Sequence, residues 1–115
     1  MTARILKYRN TPVTVDGIRF DSKAEAKRWH ELKLLERAGE IKNLIRQPRY
    51  RLTAHGCHIC DYVSDAQYED TATGDTITED VKSPATARDP VFRLKAKLFY
   101  AQFGYEITIT GKGAK

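Results

Sequence analysis

The chain has 115 residues, 41% of them hydrophobic, which allows one domain over 1–115 with a single core, and no apolar run approaches the ~20 residues of a membrane span. Lys and Arg number 20 against 15 Asp and Glu, giving +5, and that balance favours a polyanionic partner through counterion release without excluding an ordinary lysine-rich surface. Two cysteines do not make a disulfide framework, and MTARILKYRN lacks the apolar stretch of a signal peptide, so a reduced, cytoplasmic protein with no membrane partner is expected.

Residues 1–12 read as a basic, irregular arm. Val13 to Phe20 reads as a hairpin, because Asp16-Gly17 suits a two-residue turn and is flanked by Val13, Val15, Ile18 and Phe20. A helix follows. Ser22 is its N-cap, with Glu25 three residues on completing a capping box; Ala24, Trp29, Leu32 and Leu35 supply the apolar face and Gly39 the stop. After Ile41 to Gln47 and Pro48, Arg49 to Thr53 is one candidate strand and Ile59 to Tyr68 a second. The Asp70–Asp75 turn leads into a third, Thr76 to Lys82, paired with the second as a hairpin.

SPATARD, 83–89, is expected to be a mobile loop. Asp89-Pro90 starts a second helix, buried through Val91, Leu94, Leu98, Phe99 and Phe103 and ended by Gly104. Tyr105 to Thr110 is a last strand, and 111–115 a flexible tail. The expected fold class is α/β, a mixed sheet flanked by helices behind an N-terminal hairpin.

Chemistry concentrates on the third strand. Residues two apart share a face of a strand, so Asp80 and Lys82 project together while Val81 points into the core. The hairpin can bring Asp65 beside Asp80. Two carboxylates with a nearby lysine suit phosphodiester hydrolysis: the acids hold a hard divalent cation that offsets phosphate charge, and the ammonium orients water or stabilises the transition state. Glu79 points away from Asp80 and could replace it only if a bulge shifted the strand.

These residues resemble the PD-(D/E)xK nuclease signature. More closely, VDGIRFDSKAEAKRWHELKLLERAGEI, RQP, DYVSDAQYED, TEDVKS and RLKAKLFYAQFG resemble small phage- and prophage-borne endonucleases of that superfamily, which are Holliday-junction-resolvase-like. The stretches span 13–104. Ser64 stands where the motif's name has Pro, a position that varies and is not a ligand.

The resemblance implies a restriction-endonuclease-like α-β-β-β-α-β core and a Mg²⁺- or Mn²⁺-dependent DNA endonuclease. Asp65, Asp80 and the Val81 carbonyl would hold metal, and Lys82 would position water. It also implies a metal-binding glutamate on the first helix. Glu25 fits, lying about 40° from Trp29 and about 20° from Leu32 on the helical wheel. The residues themselves leave both roles open, cap and ligand. Gln47 in RQP matches the family pattern near the site, or is a strand-start amide satisfying backbone groups.

Arg88, Arg93, Lys95 and Lys97 are candidates for phosphate contacts, or form a solvated helix face. Branched or structured DNA is the expected substrate, and a symmetric junction would require a homodimer. The alternative is a non-catalytic nucleic-acid-binding module on the same fold. His55-Gly-Cys57-His58-Ile-Cys60 offers half a zinc site, but a closed site needs four ligands and no second pair exists, so free thiols are expected.

Overall fold

The computed structural model describes residues 11–111. Most of the basic arm 1–12 and the tail beyond Gly111 lie outside the described residues. Val13–Val15 (β1) and Ile18–Phe20 (β2) form the expected hairpin, with Val15 opposite Ile18. Asp16 and Gly17 turn the chain with φ of 51° and 79°, the positive pair that a tight two-residue hairpin needs.

The first helix, α1, spans Lys23–Arg37 and is capped by Ser22, whose Oγ accepts from the Glu25 N–H at 3.2 Å. Leu32 is buried, with Trp29 and Leu35 packed around it. Ala24, expected on the apolar face, is exposed. It sits in the first turn, beside an open groove that Lys82 and Ser83 also line.

Six strands follow: β3 (Ile41–Arg46), β4 (Arg49–Ala54), β5 (Cys57–Val63), β6 (Ala66–Asp70), β7 (Thr76–Val81) and β8 (Thr108–Thr110). Four of them make a mixed sheet in the order β3-β6-β7-β8, with β8 parallel to β7 and the other pairs antiparallel. Strands β4 and β5 form a separate antiparallel ribbon.

The expected single strand Ile59–Tyr68 is thus two strands, broken at Ser64-Asp65. Opposite the break, Gln47 has φ 53°, and Pro48 has no N–H to give to a ladder. Two backbone bonds still cross the interruption: Gln47 N–H to the Asp65 carbonyl at 3.0 Å, and Ser64 N–H to the Pro48 carbonyl at 3.2 Å.

The break splits the core. Ile41, Ala66 and Tyr68 from the inner half pack with Leu32 of α1. Leu52 and Tyr62 from the outer half pack with Phe99, which belongs to the second long helix, α3 (Pro90–Phe103). Strand β7 serves both clusters through its period of two. Ile77 packs with the α1 cluster, while Thr78 hydrogen-bonds Tyr50 and Tyr105, which flank the α3 cluster.

The 83–89 segment is not a bare loop. Pro84–Ala87 forms a short helix, α2, whose Ser83 cap accepts from the Thr86 N–H at 3.2 Å. On α3, Val91 and Leu94, expected to be buried, are 61% and 59% exposed. Leu94 stands about 140° around the helix from Phe99; Phe92 and Leu98 pack into the cluster, and Val91 shares the Leu98 face but sits in the first turn. Phe103 is 40% exposed but keeps an edge against Tyr50. Asp89 and Gly104 cap α3 as expected, Gly104 with φ 83°. Of Tyr105–Thr110 only the last three residues are strand, while Tyr105 and Ile107 pack into the α3 cluster. No helix among the described residues is long and apolar enough to cross a membrane.

Candidate active site

Asp65 stands at the break between β5 and β6, so its side chain is placed by the interruption rather than by strand parity. Its backbone N–H reaches the Glu79 carbonyl at 3.1 Å. Its Oδ2 accepts the Val81 N–H at 2.7 Å. Together these bonds tie the carboxylate to the end of β7, where Asp80 is 4% exposed. The two carboxyl groups are close enough to repel each other.

Burial pushes Asp65 up to about 7, with repulsion from Asp80 next in size. Burial also raises Asp80, against the pull of the Tyr62 hydroxyl and Lys82. The Tyr62 hydroxyl donates to Asp80 Oδ2. Burial and the Asp80 charge hold that phenol far above its ordinary range. Lys82 Nζ lies 3.9 Å from Asp80 Oδ2 and 4.5 Å from the centre of the Phe92 ring, a cation–π contact that sets its direction.

Glu25 is half-buried and lines a cavity with Asp65, Gln47, Arg46, Arg28 and Trp29. Burial, then the Asp65 and Asp21 charges, push it up to about 7. Its backbone N–H belongs to the Ser22 cap, which leaves its carboxylate to face the cavity. Glu25 comes to Asp65 from α1, and it also lines one groove with Val81 and Lys82. Among the described residues, no group of three or more His, Cys, Asp or Glu side chains converges as a metal cage.

Gln47 reaches the same cavity, and its side chain accepts from Arg46 at 3.2 Å. Arg93 and Lys97 are exposed and line one groove on α3. Arg88 lies just before α3, at the C-cap of α2. Lys95 is half-buried and does not line that groove.

Two site features escaped sequence reasoning. Tyr62 gives no local signal, because a strand tyrosine looks like core and its partner is 18 residues away. Arg28 was findable: it lies about 40° from Leu32 on the helical wheel, and an inward guanidinium requires an acid. That acid is Glu79, 1% exposed, which accepts from Arg28 Nε at 2.7 Å and Nη2 at 2.9 Å and from the Tyr68 hydroxyl at 2.7 Å. Glu79 thus points away from Asp80, no bulge intervenes, and its two oxygens are already engaged. Gly111, assigned to the flexible tail, instead approaches Lys82 closely: with φ 119°, any Cβ there would come within 2.9 Å of the Lys82 carbonyl oxygen.

A family model described as "Protein of unknown function (DUF1064)" matches residues 5–112. The chain belongs to this family. No curated protein and no solved structure matches the DUF1064 chain. Cys57 is exposed and Cys60 half-buried, and both are free thiols in this DUF1064 chain.

Proposed function

We propose that this DUF1064 protein is a divalent-metal-dependent DNA endonuclease of the PD-(D/E)xK type, built on a restriction-endonuclease-like core. The reading rests on one observation: two carboxylates that repel each other, half-buried Asp65 and buried Asp80, with Lys82 alongside. Like charges so placed destabilise the fold. The neighbouring Glu79 already fills the structural ion pair with Arg28, so that role does not account for the pair. The mixed sheet with α1 and α3 is compatible with such a core.

The donor set suits a small hard cation. Mg²⁺ keeps several waters and takes one or two carboxylates together with substrate phosphate, so it needs no closed protein cage. Asp65, Asp80 and the Val81 carbonyl would hold it, and Glu25 would act from beyond Asp65. Once bound, the cation would offset phosphate charge and favour ionisation of water. Tyr62 holds Asp80 in place by hydrogen bonding, and Phe92 aims Lys82. Lys82 orients the attacking water or meets the charge developing on the phosphoryl oxygens. Attack on phosphorus releases a 5′-phosphate end, as in the resembled family. Gln47, Arg88, Arg93, Lys95 and Lys97 would border the nucleic acid. Branched or structured DNA in phage replication or recombination, inside a bacterial host and with a homodimer on symmetric junctions, completes the reading.

The test is a cleavage panel of single-stranded, duplex, flap and four-way DNA with Mg²⁺ or Mn²⁺. Cutting should stop with chelator and in folded Asp65→Ala and Asp80→Ala variants, and should fall in Lys82→Ala. Cutting by a well-folded Asp65→Ala/Asp80→Ala double variant would overturn the reading. Salt-sensitive binding with no cutting under either metal would favour the non-catalytic binding module.

A further inference from the structure

The exposed side of α3 carries Arg93, Lys97 and Tyr100 at spacings of four and three residues, which place them on one helical face. Tyr100 is 53% exposed. It lines a groove with Phe92 of the same helix, and with Ile107 and Ile109 from the C-terminal segment. Among the described residues, neither Arg93 nor Lys97 pairs with a carboxylate. Glu106 on the groove wall is the one acid lining it.

We propose that this groove between α3 and β8 binds an unpaired nucleic-acid strand and leads it to the Asp65–Asp80 site, an inference that rests on the nuclease reading above. An exposed aromatic ring one turn beyond two cations matches what a single strand offers: phosphates for the cations and free base faces for the ring. A duplex offers the phosphates only, because its bases are already stacked on one another. The groove also adjoins the site. Phe92 lines the groove and carries Lys82 over its ring at 4.5 Å. Ile109, on the groove wall, is the register partner of Asp80. A strand seated along Arg93 and Lys97 therefore passes beside the lysine of the site. The preferred substrate class is nucleic acid with a single-stranded arm, such as a flap or splayed end.

The experiment is fluorescence anisotropy of the full chain with labelled oligo(dT), oligo(U) and blunt duplex, in chelator so that nothing is cut. Tyr100→Ala should weaken single-strand binding about tenfold or more and change duplex binding less than about twofold. Tyr100→Phe should bind as the parent does, which separates the missing ring from a damaged fold. The Arg93→Ala/Lys97→Ala variant should lower the slope of log affinity against log salt by about 1.4, the value for two single-strand phosphate contacts. Loss of both oligo(dT) and oligo(U) binding on removal of the ring supports the groove, and the tighter of the two names the sugar. Unchanged single-strand binding in Tyr100→Ala, or an equal loss on the duplex, overturns the inference. Repeating the series with Mg²⁺ and Mn²⁺ separates the two readings. Cutting that is indifferent to Tyr100 overturns the groove alone, whereas ring-dependent binding with no cutting overturns the nuclease reading beneath it.

Discussion

Replacing Asp65 with Asn should make the metal-free protein more stable at neutral pH, although the same change should abolish cleavage. Asp65 is held at about 7 against an ordinary 3.8, first by burial and then by Asp80. A carboxyl group whose folded value is raised binds more protons in the folded state than in the unfolded one. Stability therefore falls as pH climbs from about 4 to about 7, and the whole penalty is present above 7. Three units correspond to ~4 kcal/mol at full ionisation. Solvent at the rim and readjustment of Asp80 and Glu25 reduce this, leaving an expected gain of ~2–4 kcal/mol at pH 8 and ~1 kcal/mol at pH 5. The Asn carbonyl can still accept the Val81 N–H, so no backbone donor is orphaned. The assay is urea unfolding followed by circular dichroism, with chelator, for both proteins at both pH values. Adding Mg²⁺ back should raise the midpoint of the parent and leave Asp65→Asn unmoved. A variant no more stable than the parent at pH 8, or a gap that does not widen from pH 5 to pH 8, would refute the argument.

Tyr62→Phe removes the hydroxyl that steadies Asp80 and should cut the initial cleavage rate by ~10-fold or more with a nearly unchanged urea midpoint; an unchanged rate would show that Asp80 needs no such support. Arg28→Met leaves Glu79 buried without its cation, and denaturant unfolding should show a loss of ~3–5 kcal/mol. Adding Glu79→Gln should recover part of that loss. Gly111→Ala forces a side chain towards the Lys82 carbonyl in a backbone conformation that suits glycine, so thermal melts should show a cost above ~1 kcal/mol. Cleavage should fall with it if Lys82 is displaced.

The elements set by short-range rules were legible in the sequence: the Asp16-Gly17 hairpin, the Ser22 and Asp89 caps, and the Gly39 and Gly104 stops. So was the pairing of Asp80 with Lys82, since strand parity is local. What was missed depends on partners distant in the chain. No periodicity in 59–68 announces a break at Ser64-Asp65, because the interruption comes from Gln47-Pro48 on the opposite strand. The exposure of Leu94 follows from where Phe99 meets Leu52 and Tyr62, not from the hydrophobicity of α3. The SPATARD segment contained its own helix start in Ser83-Pro84, a cap and a first-turn proline. Read by the rule applied to Asp89-Pro90, that pair would have given α2.

The Arg28–Glu79 pair has a consequence beyond stability. Glu79 and Asp80 are adjacent acids with opposite duties, and a strand that slips by one residue turns every side chain to the other face. Such a slip in β7 would bring Glu79 to the face of Asp65 and Tyr62 and turn Asp80 and Lys82 together under α1, which would take both out of the site. The fork of Arg28 grips both oxygens of Glu79, and the Tyr68 hydroxyl holds one of them as well. The shorter Asp80 carboxylate could not reach these partners equally well from the neighbouring position. The pair works as a register pin, so the identity of the acid that meets Asp65 is decided on the opposite side of the sheet.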